Sequence, residues 1–152
     1  LAIALALAQR IEIAGINVKI KWPNDLLING QKLAGFLPRL FFRGGRLQLI
    51  RVGVGLNVSN KVPKTATSLA KVTGYQNLNI NFWSSEVLFA IENSLELCKH
   101  EKLLCKEVER RLWKRVFIEP ENGHEWHIKG IHSSGGLRLS RGSEEKIWFL
   151  AR

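Results

Sequence analysis

Eight consecutive apolar residues, Leu1 to Ala8, open the chain, and Gln9, Arg10 and Glu12 end the run. Too short for the roughly 20 apolar residues of a bilayer span, and with no basic stretch ahead of it as a secretory leader has, the run predicts a buried helix over 1–14. Gly15 stands where a left-handed C-cap would end it. Residues 17–22 then alternate. Val18, Ile20 and Trp22 take one face and Lys19 and Lys21 the other, as in a half-buried strand that Pro23 ends for want of an amide hydrogen. Leu26-Leu27-Ile28, the hairpin dipeptide Asn29-Gly30, a strand over 32–42, the Gly44-Gly45 turn and a third strand over 46–58 complete a β-meander. Leu47, Leu49, Val52, Val54 and Leu56 do not keep one parity, which predicts a bulge near Arg51.

Residues 59–81 are polar and rich in turn formers, and read as irregular. From Phe82 to Val116 the apolar spacing becomes helical, with one stripe of Val87, Leu88, Ile91, Leu95 and Cys98 and another of Leu104, Val108, Leu112 and Trp113. A break near 98–101 divides the segment into two helices. From Ile118 onward short strands return at 126–131, 137–140 and 146–150, with glycines at the turns. The expected fold class is α+β: a mixed or antiparallel sheet backed by helices over 1–116, followed by a small β domain over 117–152.

A hydrophobic fraction of 45% against 24% charged residues excludes a disordered chain. No methionine occurs, so the start of translation is expected outside these 152 residues. Cys98 and Cys105 lie seven apart without neighbouring ligands, and read as reduced thiols rather than half of a zinc site. The four histidines share no metal-ligand spacing, and His124 and His127 read as solvent-facing. The arginines and lysines at 110, 111, 114 and 115, interleaved with Glu107 and Glu109, read as a solvated helix face.

Charge is concentrated in the first half. Residues 1–76 carry 11 lysines and arginines against Glu12 and Asp25 alone, a balance of +9, whereas residues 77–152 carry 12 against 11. Such a field favours an anionic ligand or an acidic partner.

Candidate chemistry gathers in Lys21-Trp22-Pro23-Asn24-Asp25, Lys32-Leu33-Ala34-Gly35 and Gly53-Val54-Gly55-Leu56-Asn57. Lys21 faces away from the apolar layer and is either a surface lysine or a point charge placed for a growing negative charge. Asn24 and Asp25 either close an Asx-type turn or orient a lysine and help place Mg²⁺. Trp22 reads as a packing anchor. Gly35, Gly53 and Gly55 interrupt apolar strands, as glycines do where a ligand or another backbone comes close. Asn57 is either a turn residue or an amide for ribose, phosphate or a metal-bound water.

In order and spacing these three blocks resemble the second half of the catalytic domain of biotin protein ligases, clearly over 1–69, through the helices to Val116, and loosely over 117–152. The resemblance implies a class II synthetase-like catalytic domain with a small SH3-like β domain. It also implies a two-step reaction: the biotin carboxylate attacks the α-phosphate of Mg·ATP to give biotinyl-5′-adenylate, and a carrier-domain lysine then takes the biotinyl group. On this resemblance Lys21 is catalytic and binds the biotin carboxylate and the linking phosphate. Asn24 and Asp25 support that corner, Gly35 admits backbone to the biotin side, and Asn57 faces the nucleotide. Biotin, ATP and Mg²⁺ are the implied ligands, the carrier domain of acetyl-CoA carboxylase is the implied partner, and the cytoplasm the implied location. Neither a membrane nor DNA is expected as a partner.

The family's first-half loop, rich in arginine and glycine, has no counterpart in these residues, so the polypeptide by itself is expected not to ligate biotin. Two rival readings are a lipoate or octanoyl transferase and a non-catalytic, basic nucleic-acid-binding module.

Overall fold

The computed structural model describes residues 1–149. Four strands form the first sheet in the order β1 (Lys19–Lys21), β2 (Asp25–Ile28), β3 (Gln31–Arg43) and β4 (Arg46–Leu56), each antiparallel to the next. Helix α1 (Ala2–Glu12) packs behind them, and Leu5, Leu7, Ile11, Val18, Ile20, Leu26 and Leu33 meet in the core without solvent contact. The Asn29-Gly30 turn has positive φ at both residues, 49° and 78°, as a two-residue hairpin matching the strand twist requires.

Two bulges depart from simple alternation. In β3, Leu26 pairs with Ala34 but Leu27 pairs with Lys32, so Leu33 is the extra residue. In β4 the partner of Phe41 is Leu49 and that of Phe42 is Leu47, which leaves Gln48 unpaired. The bulge expected near Arg51 therefore lies at Gln48, and Arg51 sits in regular register with Arg39. Beyond Leu37 the β3–β4 ribbon extends past the helical layer. Its residues 39–51 face solvent almost throughout, so their hydrophobic pattern carries no single buried parity.

The segment 59–81 is less irregular than its composition implies. It contains α2 (Leu69–Thr73), where the Ser68 hydroxyl accepts from the Lys71 amide and Gly74 closes the C-terminus in the left-handed region. α3 (Ile80–Lys99) and α4 (Glu101–Arg111) are separated at His100, where the break was expected. The buried face of α3 is not the apolar stripe: Trp83, Glu86, Ala90 and Ser94 are buried, while Leu88, Leu95 and Cys98 are exposed. α3 packs against α1, where small residues allow close approach and Arg10 pairs with Glu86 across the two helices. Val108 on α4 and Leu112 just past its end are buried as expected, but the helix ends at Arg111 rather than Val116.

Nor is the basic cluster simply solvated. Arg111 is largely buried and joins Glu12 of α1 at 2.7 Å and Glu107 at 2.7 Å. A carboxylate at each end of its planar fork holds α4 against α1.

The second sheet is the antiparallel meander β5 (Val116–Ile118), β6 (Glu125–Ile131), β7 (Leu137–Arg141) and β8 (Glu144–Trp148). Trp126, Ile131, Leu137 and Leu139 point into a core continuous with the first sheet. Trp22 is half-buried and not a full core residue. Its indole Nε1–H donates to the Gly135 carbonyl at 2.9 Å, joining the two sheets. The residues 150–152 of the expected small domain, and Leu150 of its last strand, lie outside the described residues.

Candidate active site

One row of residues crosses the whole first sheet. Lys21 is the register partner of Asp25, Asp25 of Gly35, and Gly35 of Gly55. Directly opposed residues share a face, so all four lie on the side away from α1. The neighbouring row, Ile20, Leu26, Ala34 and Leu56, points the other way, and its first three members are fully buried or nearly so. Hydrophobic alternation thus anchors one face and presents the other.

Over the glycine end of that row lies an open cleft of about 590 Å³, lined among others by Asn24, Asp25, Lys32, Gly35, Gly53, Gly55 and Asn57. A methyl group added at Gly55 would meet no protein atom within 4 Å, and one at Gly53 would make only ordinary contact with Leu37 at 3.7 Å. Neither glycine has a positive φ. The protein's own packing therefore gives no reason for glycine at these positions, whereas a molecule seated on the strands does.

A second cleft, of about 700 Å³, runs between the first sheet and the segment after α4. Lys21 lines this one, with Trp22, Thr65, Trp113, Lys114 and Phe117. The wall is built by backbone: the Trp113 amide donates to the Ile20 carbonyl at 2.9 Å, laying 112–113 beside β1. The Trp113 ring lies over Gly30, where an added methyl would stand 3.0 Å from it. Asp25 and Lys32 are the residues common to both clefts.

Four of the five expected site residues, Asn24, Asp25, Gly35 and Asn57, therefore share the glycine cleft, and Lys21 occupies the adjoining one. Lys21 is exposed, as its strand parity requires. Asn24 is committed to structure. Its side-chain Nδ2 donates to the Phe36 carbonyl at 2.6 Å, and its own carbonyl accepts from the Phe36 amide at 3.0 Å. Asn57 is half-exposed, with Oδ1 accepting from Asn60 at 3.1 Å. Asp25 forms an ion pair with Lys32, Nζ to Oδ1 2.7 Å. The sequence assigned no individual site role to Lys32, Thr65 or Trp113, and Trp113, expected on a helical stripe, lies beyond α4 and is exposed. Lys32 was hidden because plain alternation puts it on the Ala34 face, and the bulge at Leu33 turns it over.

Among the described residues no three or more His, Cys, Asp or Glu side chains come together as a metal site. Among the described residues Asp25 is the one carboxylate lining either cleft, and it is already paired.

This arrangement, a mixed α+β domain with a cationic strand beside a glycine-lined groove, has counterparts among known proteins. Residues 1–57 match the model of the biotin/lipoate A/B protein ligase family. Biotin–protein ligase 2 of Arabidopsis thaliana is 35% identical over 88% of this chain and 44% of its own length. The bifunctional ligase/repressor BirA of Bacillus subtilis is 39% identical over 47% of this chain and 24% of its own length. The apo structure of biotin protein ligase from Aquifex aeolicus superposes with a TM-score of 0.77 at 25% identity, covering 96% of this chain and 68% of that one. The fold is thus that of the biotin and lipoate ligases, the class II synthetase-like architecture. Within that class, the curated relatives it matches along most of its length are biotin protein ligases. It spans half or less of the length of the curated relatives it matches.

Proposed function

We propose that this chain provides the adenylate-handling half of an enzyme that joins biotin to a carrier-protein lysine through biotinyl-5′-adenylate. The single observation that carries the reading is the row Lys21–Asp25–Gly35–Gly55. It places an unburied ammonium at one end of a face whose other end is bare backbone. A matched relative of known structure was solved in complex with biotin and ATP, at a TM-score of 0.77 and 24% identity.

In this reading the glycine cleft receives the flat parts of the ligand against β3 and β4. Lys21 holds the carboxylate and then the phosphate of the mixed anhydride. A cation fixed on a strand needs no reorganisation as that charge develops, which is why such preorganisation is usually a large catalytic contribution. Gly35 allows close approach, Asn24 stiffens the corner through Phe36, and Asn57 offers its amide at the nucleotide end. With its one nearby carboxylate paired to Lys32, the site does not form a protein cage for Mg²⁺. The ion fits only as a passenger on the nucleotide phosphates. We further assign residues 117–152 to the small appended β domain, the cytoplasm as location, and the carrier domain of acetyl-CoA carboxylase as acceptor. Alone, these 152 residues are expected not to complete ligation, and robust biotin-dependent pyrophosphate exchange by the isolated chain would contradict that.

Binding measurements test the reading itself. A non-hydrolysable biotinyl-adenylate analogue should bind the chain, a lipoyl-adenylate analogue should bind more weakly, and Lys21→Ala should reduce the former by about tenfold or more. Preference for the lipoyl ligand would instead favour the transferase. Steeply salt-dependent binding of random DNA that ignores Lys21→Ala would favour the nucleic-acid module.

A further inference from the structure

We infer that Lys32 is a second anion-binding residue of this site and that Asp25 is its positioning residue, holding the ammonium over Gly35 where the two clefts meet. The inference rests on the proposed function, since the anion in question is the phosphoryl group of an acyl-adenylate.

Three observations support it. First, the Lys32 backbone is fixed on both sides. It pairs with Leu27 across β2, and its amide and carbonyl bond to the Thr65 carbonyl (3.1 Å) and the Thr67 amide (2.9 Å). The side chain nevertheless remains half exposed, at 50%. A rigid anchor with an accessible charge is what ligand binding needs, and it exceeds what a surface ion pair requires. Second, the pair crosses the sheet diagonally above Gly35. A methyl group there would stand 3.0 Å from Lys32 Nζ and 3.1 Å from Asp25 Oδ1. The glycine thus makes room for the ion pair as well as for a ligand. Third, Asp25 and Lys32 line both clefts, while Lys21 lines only one. A ligand extending from the Lys21 cleft into the glycine cleft must pass this ammonium.

Asp25 is the sole carboxylate between Glu12 and Glu86. It offsets one of the local positive charges and fixes the direction of Lys32, whose flexible stem would otherwise sample solvent. No bond is made or broken by Lys32. It adds a point charge to the phosphate and so increases affinity for the charged adenylate without touching a neutral nucleoside.

The test is a titration of the 152-residue chain followed by amide chemical shifts, with two probes: the non-hydrolysable biotinyl-adenylate analogue and adenosine. The wild-type chain should shift the Gly53 and Gly55 amides with both. Lys32→Ala should weaken the charged analogue by about tenfold and leave adenosine unchanged, Lys32→Arg should retain most of the affinity, and Asp25→Asn should fall between. Equal loss for both probes, or no loss for either, would overturn the role of Lys32 while leaving the proposed function intact. No shift at the glycine strands in the wild-type chain would remove the proposed function, and this inference with it. The spectra themselves report whether each variant is folded.

Discussion

Gly35 and Gly55 lie directly opposite each other on β3 and β4, on the face of the sheet that carries Lys21 and Asp25. Their surroundings differ. Gly35 lies beneath an ion pair, whereas Gly55 has no protein atom within reach of an added methyl. Gly55→Ala should therefore be neutral or stabilising by up to about 1 kcal/mol, because its extended backbone suits alanine and the unfolded chain loses freedom. The same variant should weaken the adenylate analogue. A melting curve and a binding isotherm should move in opposite directions.

For Gly35→Ala the expected outcome is a displaced Lys32 with little change in stability, since an ion pair whose lysine stays half exposed contributes about 0–1 kcal/mol. Binding should fall toward that of Lys32→Ala, and combining the two substitutions should add little. Fully additive losses in the double-mutant cycle would show that the glycine acts on the ligand and not on the pair.

Trp22→Phe removes the indole donor to Gly135 while keeping an aromatic ring between the sheets. It should cost about 0.5–1.5 kcal/mol. Amide exchange in β6 and β7 should accelerate more than in β2 and β3, because the lost bond ties the turn between β6 and β7 to the first sheet.

Acid should loosen the second sheet before the first. Lys146, then Asn122 and the Trp126 indole, hold the buried Glu119 carboxylate down to about 2 from an ordinary 4.5, against the opposing effect of burial. A depressed folded-state value means that the stabilisation is complete above about pH 4.5 and is lost as pH falls toward 2. Wild type and Glu119→Gln should differ at pH 7 and converge near pH 2, as followed by tryptophan fluorescence. A constant gap across that range would refute the assignment.

Much of this fold was legible locally. Asn29-Gly30 specified its turn because few dipeptides accept positive φ twice, and the alternation of Val18 and Ile20 with Lys19 and Lys21 set the two faces of β1. The break at His100 followed from the interrupted helical period. Where the pattern misled, the cause lay in a partner. Leu88 and Leu95 look like core residues, yet α1 selects the face of α3 bearing Ala90 and Ser94, and Arg10 supplies the charge that allows Glu86 to be buried. Arg111 reads as a surface residue until Glu12, 99 positions away, is brought to it.

The sequence alone determined the family blocks, the strand carrying Lys21 and the basic character of the first half, because each depends on neighbouring residue types. Only the tertiary structure decided that Lys32 joins Asp25. One extra residue at Leu33 reverses the face on which every residue before it points, and no count of polar and apolar positions reveals where a bulge will fall. The Trp113 wall was likewise decided in three dimensions, since the contact of residue 113 with Gly30 and Ile20 exists only once the end of α4 brings residues 112–113 alongside the edge strand β1.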